Sequence, residues 1–65
     1  MKTVDEVFVI LQSAEKLVMD GDWYNITGFN EDEVYLEDEE FGDETVVKLD
    51  DLTEGVDFYK LTKIE

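Results

Sequence analysis

The chain contains no cysteine, histidine, proline or arginine among its 65 residues. Each absence closes off some chemistry. Without cysteine there is no disulfide and no thiolate metal site, which fits a cytoplasmic setting. Without histidine or cysteine, and with Ser13 as the sole serine, no nucleophile–base pair of the usual kind can be assembled. Nineteen carboxylates make some close acid–base pair inevitable, so such a pair signals nothing here. A domain of this size also lacks the volume for a substantial cleft. The expectation is a protein that is not an enzyme and carries no cofactor. Long apolar runs are missing too: the longest, residues 7–11, follows one early lysine and then acids. That pattern is neither a secretory leader nor a membrane span. The sequon Asn25-Ile26-Thr27 then reads as chance.

Basic residues are scarce. Five lysines face nineteen acids, for a net charge of −14. Residues 20–57 hold fifteen of those acids against Lys48 alone, so the excess belongs to the middle of the chain. Such a charge repels nucleic acid and anionic membranes and attracts basic surfaces. Direct binding of DNA or RNA is not expected.

What is present favours folding. Hydrophobic residues make up 43% of the chain and aromatics 12%, whereas disordered acidic chains are poor in both aromatic and β-branched residues. One small domain spanning 1–65 is expected. Chains this short bury only about 60% of their unfolded surface, so its margin is narrow.

Thr3-Val4-Asp5-Glu6 has the form of a capping box. Val4, Val7, Phe8, Leu11, Ala14 and Val18 then recur at helical spacing, and Gly21 is placed to end the helix. This predicts an amphipathic helix over 3–20. A buried strand over 6–12 competes with it, and the capping box together with the continuation over 14–17 favours the helix. After Gly21 the period becomes two, predicting strands over 23–29, 33–38, 44–49 and 58–64. Leu52 and Val56 dip back to the core from a turn or 3-10 piece between the last two. The fold class is therefore α+β: one helix and a four-stranded antiparallel meander, as an open sheet or a small bent barrel. The barrel resembles Src-homology-3-like and Sm-like barrels in element order.

Residues 30–44 read NEDEVYLEDEEFGDE, with nine carboxylates. Alternation of Val34 and Leu36 makes this tract a strand rather than a tail. A calcium loop is not encoded. Starting at Asp50, Gly55 and Glu54 fit, but Leu52 and Leu61 stand where ligands are required; starting at Asp38, Gly42 arrives one residue early. No metal site is expected.

The folded acidic face is itself the candidate feature. Glu31, Glu33, Glu37 and Glu39 along one strand, joined by Asp43 and Glu44 across the hairpin, are expected to approximate a row of phosphates. Alternation sends Trp23, Phe29, Tyr35 and Val46 away from the helix, where exposed aromatics can anchor an interface. Phe41 is expected to fold back on the core or to join that surface. The candidate partner-binding residues are Trp23, Glu31, Asp32, Glu33, Tyr35, Glu37, Asp38, Glu39, Glu40, Phe41, Asp43 and Glu44.

In size, charge and want of catalytic residues, the chain resembles the small acidic nucleic-acid-mimic inhibitors encoded by phages and mobile elements. That resemblance implies a protein that binds and blocks a basic, nucleic-acid-handling partner. Two other readings stand beside it. One is a protein-interaction or assembly module that uses the sheet aromatics. The other is a merely solvated or halophilic acidic surface.

Overall fold

The computed structural model describes residues 1–60. It is an α+β fold of one helix and a five-stranded antiparallel open sheet, in the strand order β4-β3-β2-β1-β5. The elements in chain order are α1 (Val4–Leu11), β1 (Lys16–Met19), β2 (Asp22–Phe29), β3 (Glu33–Asp38), β4 (Glu44–Lys48), a 3-10 turn (Leu49–Leu52) and β5 (Val56–Tyr59).

The capping box forms as the sequence predicts. Thr3 Oγ1 accepts the Glu6 amide at 3.1 Å, and Glu6 Oε1 accepts the Thr3 amide at 2.9 Å. Val7 and Leu11 carry the buried stripe of α1. The helix is much shorter than the predicted 3–20, however, and four strands become five. The reason lies at Asp20-Gly21. Both residues have positive φ, 54° and 82°, and they join Met19 to Asp22 as a two-residue hairpin turn. Asp-Gly is the dipeptide such a turn selects, because a twist matched to the strands requires positive φ at both positions. Gly21 therefore closes a hairpin and does not end a helix. Residues 16–19 have partners on both sides, β2 and β5. Two hydrogen-bonded ladders outweigh the small helix preference of four residues.

The chain enters this strand through the backbone of Glu15, whose N–H donates to Tyr59 O and whose carbonyl accepts from the Ile26 N–H, both at 2.9 Å. The last strand also departs from a simple meander. After β4 the 3-10 turn carries the chain to the opposite edge, where β5 pairs with β1. Of the predicted strand 58–64, residues 58 and 59 lie in β5, and 61–64 fall outside the described residues.

Helix, 3-10 turn and the inner face of the sheet enclose one core: Val7, Leu11, Leu17, Val34, Leu36, Leu49, Leu52 and Val56. Leu52 and Val56 do point inward, as their spacing suggested. No polar or charged residue is buried among the described residues, so this core carries no internal electrostatic demand.

One irregularity decides which aromatics reach the outer face. In the β2–β3 ladder Ile26 pairs with Leu36, but Gly28 pairs with Tyr35 and Phe29 with Val34. The extra residue, Thr27, makes a β-bulge, and its hydroxyl donates to Tyr35 O at 3.1 Å. A bulge reverses the parity of alternation beyond it. Phe29, expected on the outer face, consequently turns inward and meets Phe8 edge-to-face with ring centroids 5.6 Å apart.

No helix among the described residues is long and apolar enough to cross a membrane.

Candidate partner-binding face

The helix covers one face of the sheet, and the other carries the outward side chains of all five strands. Residues paired across strands share a face, so the registers define rows across it. Asp57, Val18 and Trp23 form one row; Tyr59, Lys16, Asn25, Glu37 and Glu44 form the next. Tyr35 and Val46 follow, then Glu33 opposite Lys48. The sequon asparagine, Asn25, thus lies mid-strand within a charged row.

Trp23, Tyr35 and Val46 are exposed here, as alternation predicted. Trp23 and Tyr59, from β2 and β5, meet across β1 with centroids 5.0 Å apart and planes tilted by 33°. Each remains over two-fifths exposed (45% and 44%), so they form a small aromatic platform open to solvent. Sequence reasoning missed Tyr59 and Val18. The alternation of Lys16-Leu17-Val18-Met19 was the available signal, and the helical reading of that segment hid it.

Tyr35 is held differently. Its ring lies over Gly28, 3.5 Å from where a Cβ would stand. Its hydroxyl donates to Glu33 Oε1 at 3.1 Å and receives the Asn30 amide at 3.3 Å. The bond to Glu33, with the negative charge of that carboxylate, raises the phenol above its ordinary pKa.

Glu31, Glu33, Glu37, Glu39, Asp43 and Glu44 do not make the expected single row. Glu31 and Asp32 are exposed in the β2–β3 turn, where Asn30 Oδ1 accepts the amides of Asp32 and Glu33. Tyr35 separates Glu33 from Glu37 on β3, a gap of about 13 Å at 3.3 Å per residue. The remaining acids gather at the far end of β3. Glu37 faces Glu44 across the strands. Asp38 builds the adjoining turn, its Oδ1 accepting the amides of Glu40 at 2.7 Å and Phe41 at 2.9 Å. Gly42, at φ 75°, lets that turn close onto the Asp38 carbonyl. Glu39, Glu40, Asp43 and Phe41 project from it, and Phe41 is 73% exposed instead of folding back on the core.

Between this turn and the β1–β2 turn lies an open cleft of about 330 Å³, lined by Asp22, Trp23, Asp38, Glu39 and Glu40 among others. Glu39 is anchored there by its amide, which donates to Trp23 O at 3.1 Å, and its carboxylate holds the Lys16 ammonium at 2.8 Å. That is the one ion pair found among the described residues. No group of three or more acidic side chains among those residues is placed to hold a metal ion.

No protein-family model, curated protein or solved structure matches the chain. What the face can do follows from its own chemistry: ordered negative charge at one end of the sheet, interleaved with exposed aromatic rings.

Proposed function

We propose that the protein is a non-enzymatic binding protein whose acidic sheet face takes the place of nucleic-acid phosphates on a basic, nucleic-acid-handling partner protein, and so blocks it. The observation that carries this reading is the facing pair Glu37 and Glu44, which have no ion pair among the described residues, beside exposed Trp23 and Tyr35. Like charges directly opposite on a sheet are destabilising. A face needed only for solubility gains by placing a lysine at either position, as it does with Glu33 opposite Lys48. Keeping the repulsion supports a use for the charge in an external contact. The 3-10 turn before a last strand that returns beside β1 supports, for the fold, the element order of the small bent barrels.

The test is displacement. Labelled duplex DNA is bound in turn to each of a set of basic DNA-binding proteins, and this chain is added. Release of DNA from at least one of them is expected, weakening steeply from low to physiological salt. The variant Glu37→Gln/Glu40→Gln/Asp43→Asn/Glu44→Gln should lose it. A flat salt response, or full activity of that variant, rejects mimicry.

A second reading, an interaction module that works through its aromatics with the acids as rim, is favoured by the solvent-open Trp23–Tyr59 contact. Under it, Trp23→Ala abolishes binding and the charge variant does not.

A further inference from the structure

We infer that the Trp23–Tyr59 platform and the acidic cleft beside it form the anchor point for an arginine side chain of the basic partner. The inference rests on the acidic-face reading and deepens it by naming the group recognised and the residues that recognise it.

Three observations converge. Two rings from strands that are not neighbours meet in a tilted contact on the outer face and stay exposed, although half-buried aromatics gain by being covered. The cleft that Trp23 lines carries Asp22, Glu39 and Glu40. Lys16 engages Glu39, while Asp22 and Glu40 have no ion pair among the described residues. The Lys16–Glu39 contact also shows that a carboxylate of this cleft is placed to hold a cationic nitrogen.

The occupant follows from charge complementarity. A guanidinium is planar, stacks on aromatic faces, is weakly hydrated and forks between carboxylate oxygens; an ammonium is a compact, strongly hydrated point charge. An exposed aromatic surface edged by carboxylates suits the first better than the second. A second copy of this chain is a poor occupant, because each copy brings a net charge of −14 and no arginine. Glu31, Asp32 and Glu33, at the other end of β3, contribute only long-range attraction under this assignment.

Trp23 is the sole tryptophan, so its emission reports on the platform directly. The experiment titrates the full chain with three peptides of equal length in which glycine alternates with arginine, lysine or glutamine. Fluorescence and calorimetry are read at two salt concentrations. The arginine peptide is expected to bind most tightly and shift the emission of Trp23. Tyr59→Leu, and by calorimetry Trp23→Leu, should weaken it roughly three- to thirtyfold. Circular dichroism of each variant confirms that the sheet is retained. Equal affinity for arginine and lysine peptides overturns the inference. So does unchanged affinity in both aromatic variants when the fourfold charge variant has lost binding; that outcome leaves the acidic-face reading standing. Arginine-peptide binding that persists in Asp22→Asn/Glu39→Gln/Glu40→Gln, which lacks those cleft carboxylates, and vanishes in Trp23→Leu overturns the arginine anchor. Persistence in the fourfold charge variant as well rejects the acidic-face reading with it. Self-association in sedimentation that is lost in Trp23→Leu assigns the platform to a second copy and also overturns the inference.

Discussion

Glu37 and Glu44 stand directly opposite one another on neighbouring strands, on the solvent side of the sheet, with no cation in the same cross-strand pair. Replacing one partner should reveal what that arrangement withholds from the fold. Glu44→Lys converts a repulsive pair into an attractive one, and cross-strand pairs of this kind are worth roughly 0.2–1 kcal/mol. For so small a domain that is a rise in melting temperature of about 1–8 °C. The gain should shrink in high salt, since both groups are exposed to solvent or partly so. The same substitution should weaken the displacement of DNA from a basic protein. Thermal unfolding at low and high salt checks the first part, and a variant no more stable than wild type at low salt removes the argument that the repulsion is retained for use.

Leu36 is wholly buried on the inner face of β3, whereas Val46 on β4, paired with the adjoining Tyr35, is 55% exposed. Leu36→Ala should lose roughly 2–5 kcal/mol. A chain of this length has about 3–10 kcal/mol in all, so the variant gives up a large share of its margin and unfolds at a markedly lower urea concentration. Val46→Ala should change stability by about 0.5 kcal/mol or less. Urea unfolding followed by far-ultraviolet circular dichroism distinguishes the two.

These contrasts mark which signals in the sequence were strong. The alternation around Val34 and Leu36 and the Thr3–Glu6 capping box each involve contacts close along the chain, so pattern alone places them. Lys16–Met19 was read as helix because Ala14 and Val18 continue the helical spacing. Its strand state depends on ladders to β2 and to β5, which is some forty residues away. The Asp20-Gly21 turn was the local clue, and it admits two readings because glycine at positive φ serves both a helix end and a hairpin. Phe29 was misplaced for a related reason: alternation is counted from a start, and a single bulge at Thr27 inverts every residue after it. The arrangement of the acidic tract is hidden in the same way. The acidic residue types are plain in the sequence, but whether they make a row or two clusters depends on turn geometry and on Tyr35 between them.

The bulge makes a prediction of its own. Trp23 and Phe29 lie on the same strand, yet one faces solvent and the other packs on Phe8 and the core. Phe29→Ala should destabilise by roughly 1–3 kcal/mol, less than a fully buried phenylalanine. Trp23→Ala should be milder for the fold and harsher for binding. If the two variants melted in the opposite order, the parity reversal at Thr27 would be wrong.

The capping box ties helix stability to pH. The hydrogen bond from the Thr3 backbone amide, with a further one from its side chain, lowers the pKa of Glu6 below the ordinary glutamate range. A carboxylate with a depressed folded pKa stabilises the fold above the unfolded value, about 4.3, and that stabilisation is lost as pH falls through the folded value. Wild type should therefore be more stable than Glu6→Gln at pH 7, and the difference should close as pH drops below about 4. Measuring the difference at each pH cancels the general relief of repulsion when the other carboxylates become protonated. Thr3→Ala, which removes the hydroxyl acceptor, should lose roughly 0.5–2 kcal/mol at neutral pH. It should also bring the Glu6 titration, followed by carbon-13 shifts of the carboxyl group, back toward the ordinary range. A Glu6 that titrates identically in wild type and Thr3→Ala would mean that the threonine hydroxyl has no part in setting its pKa.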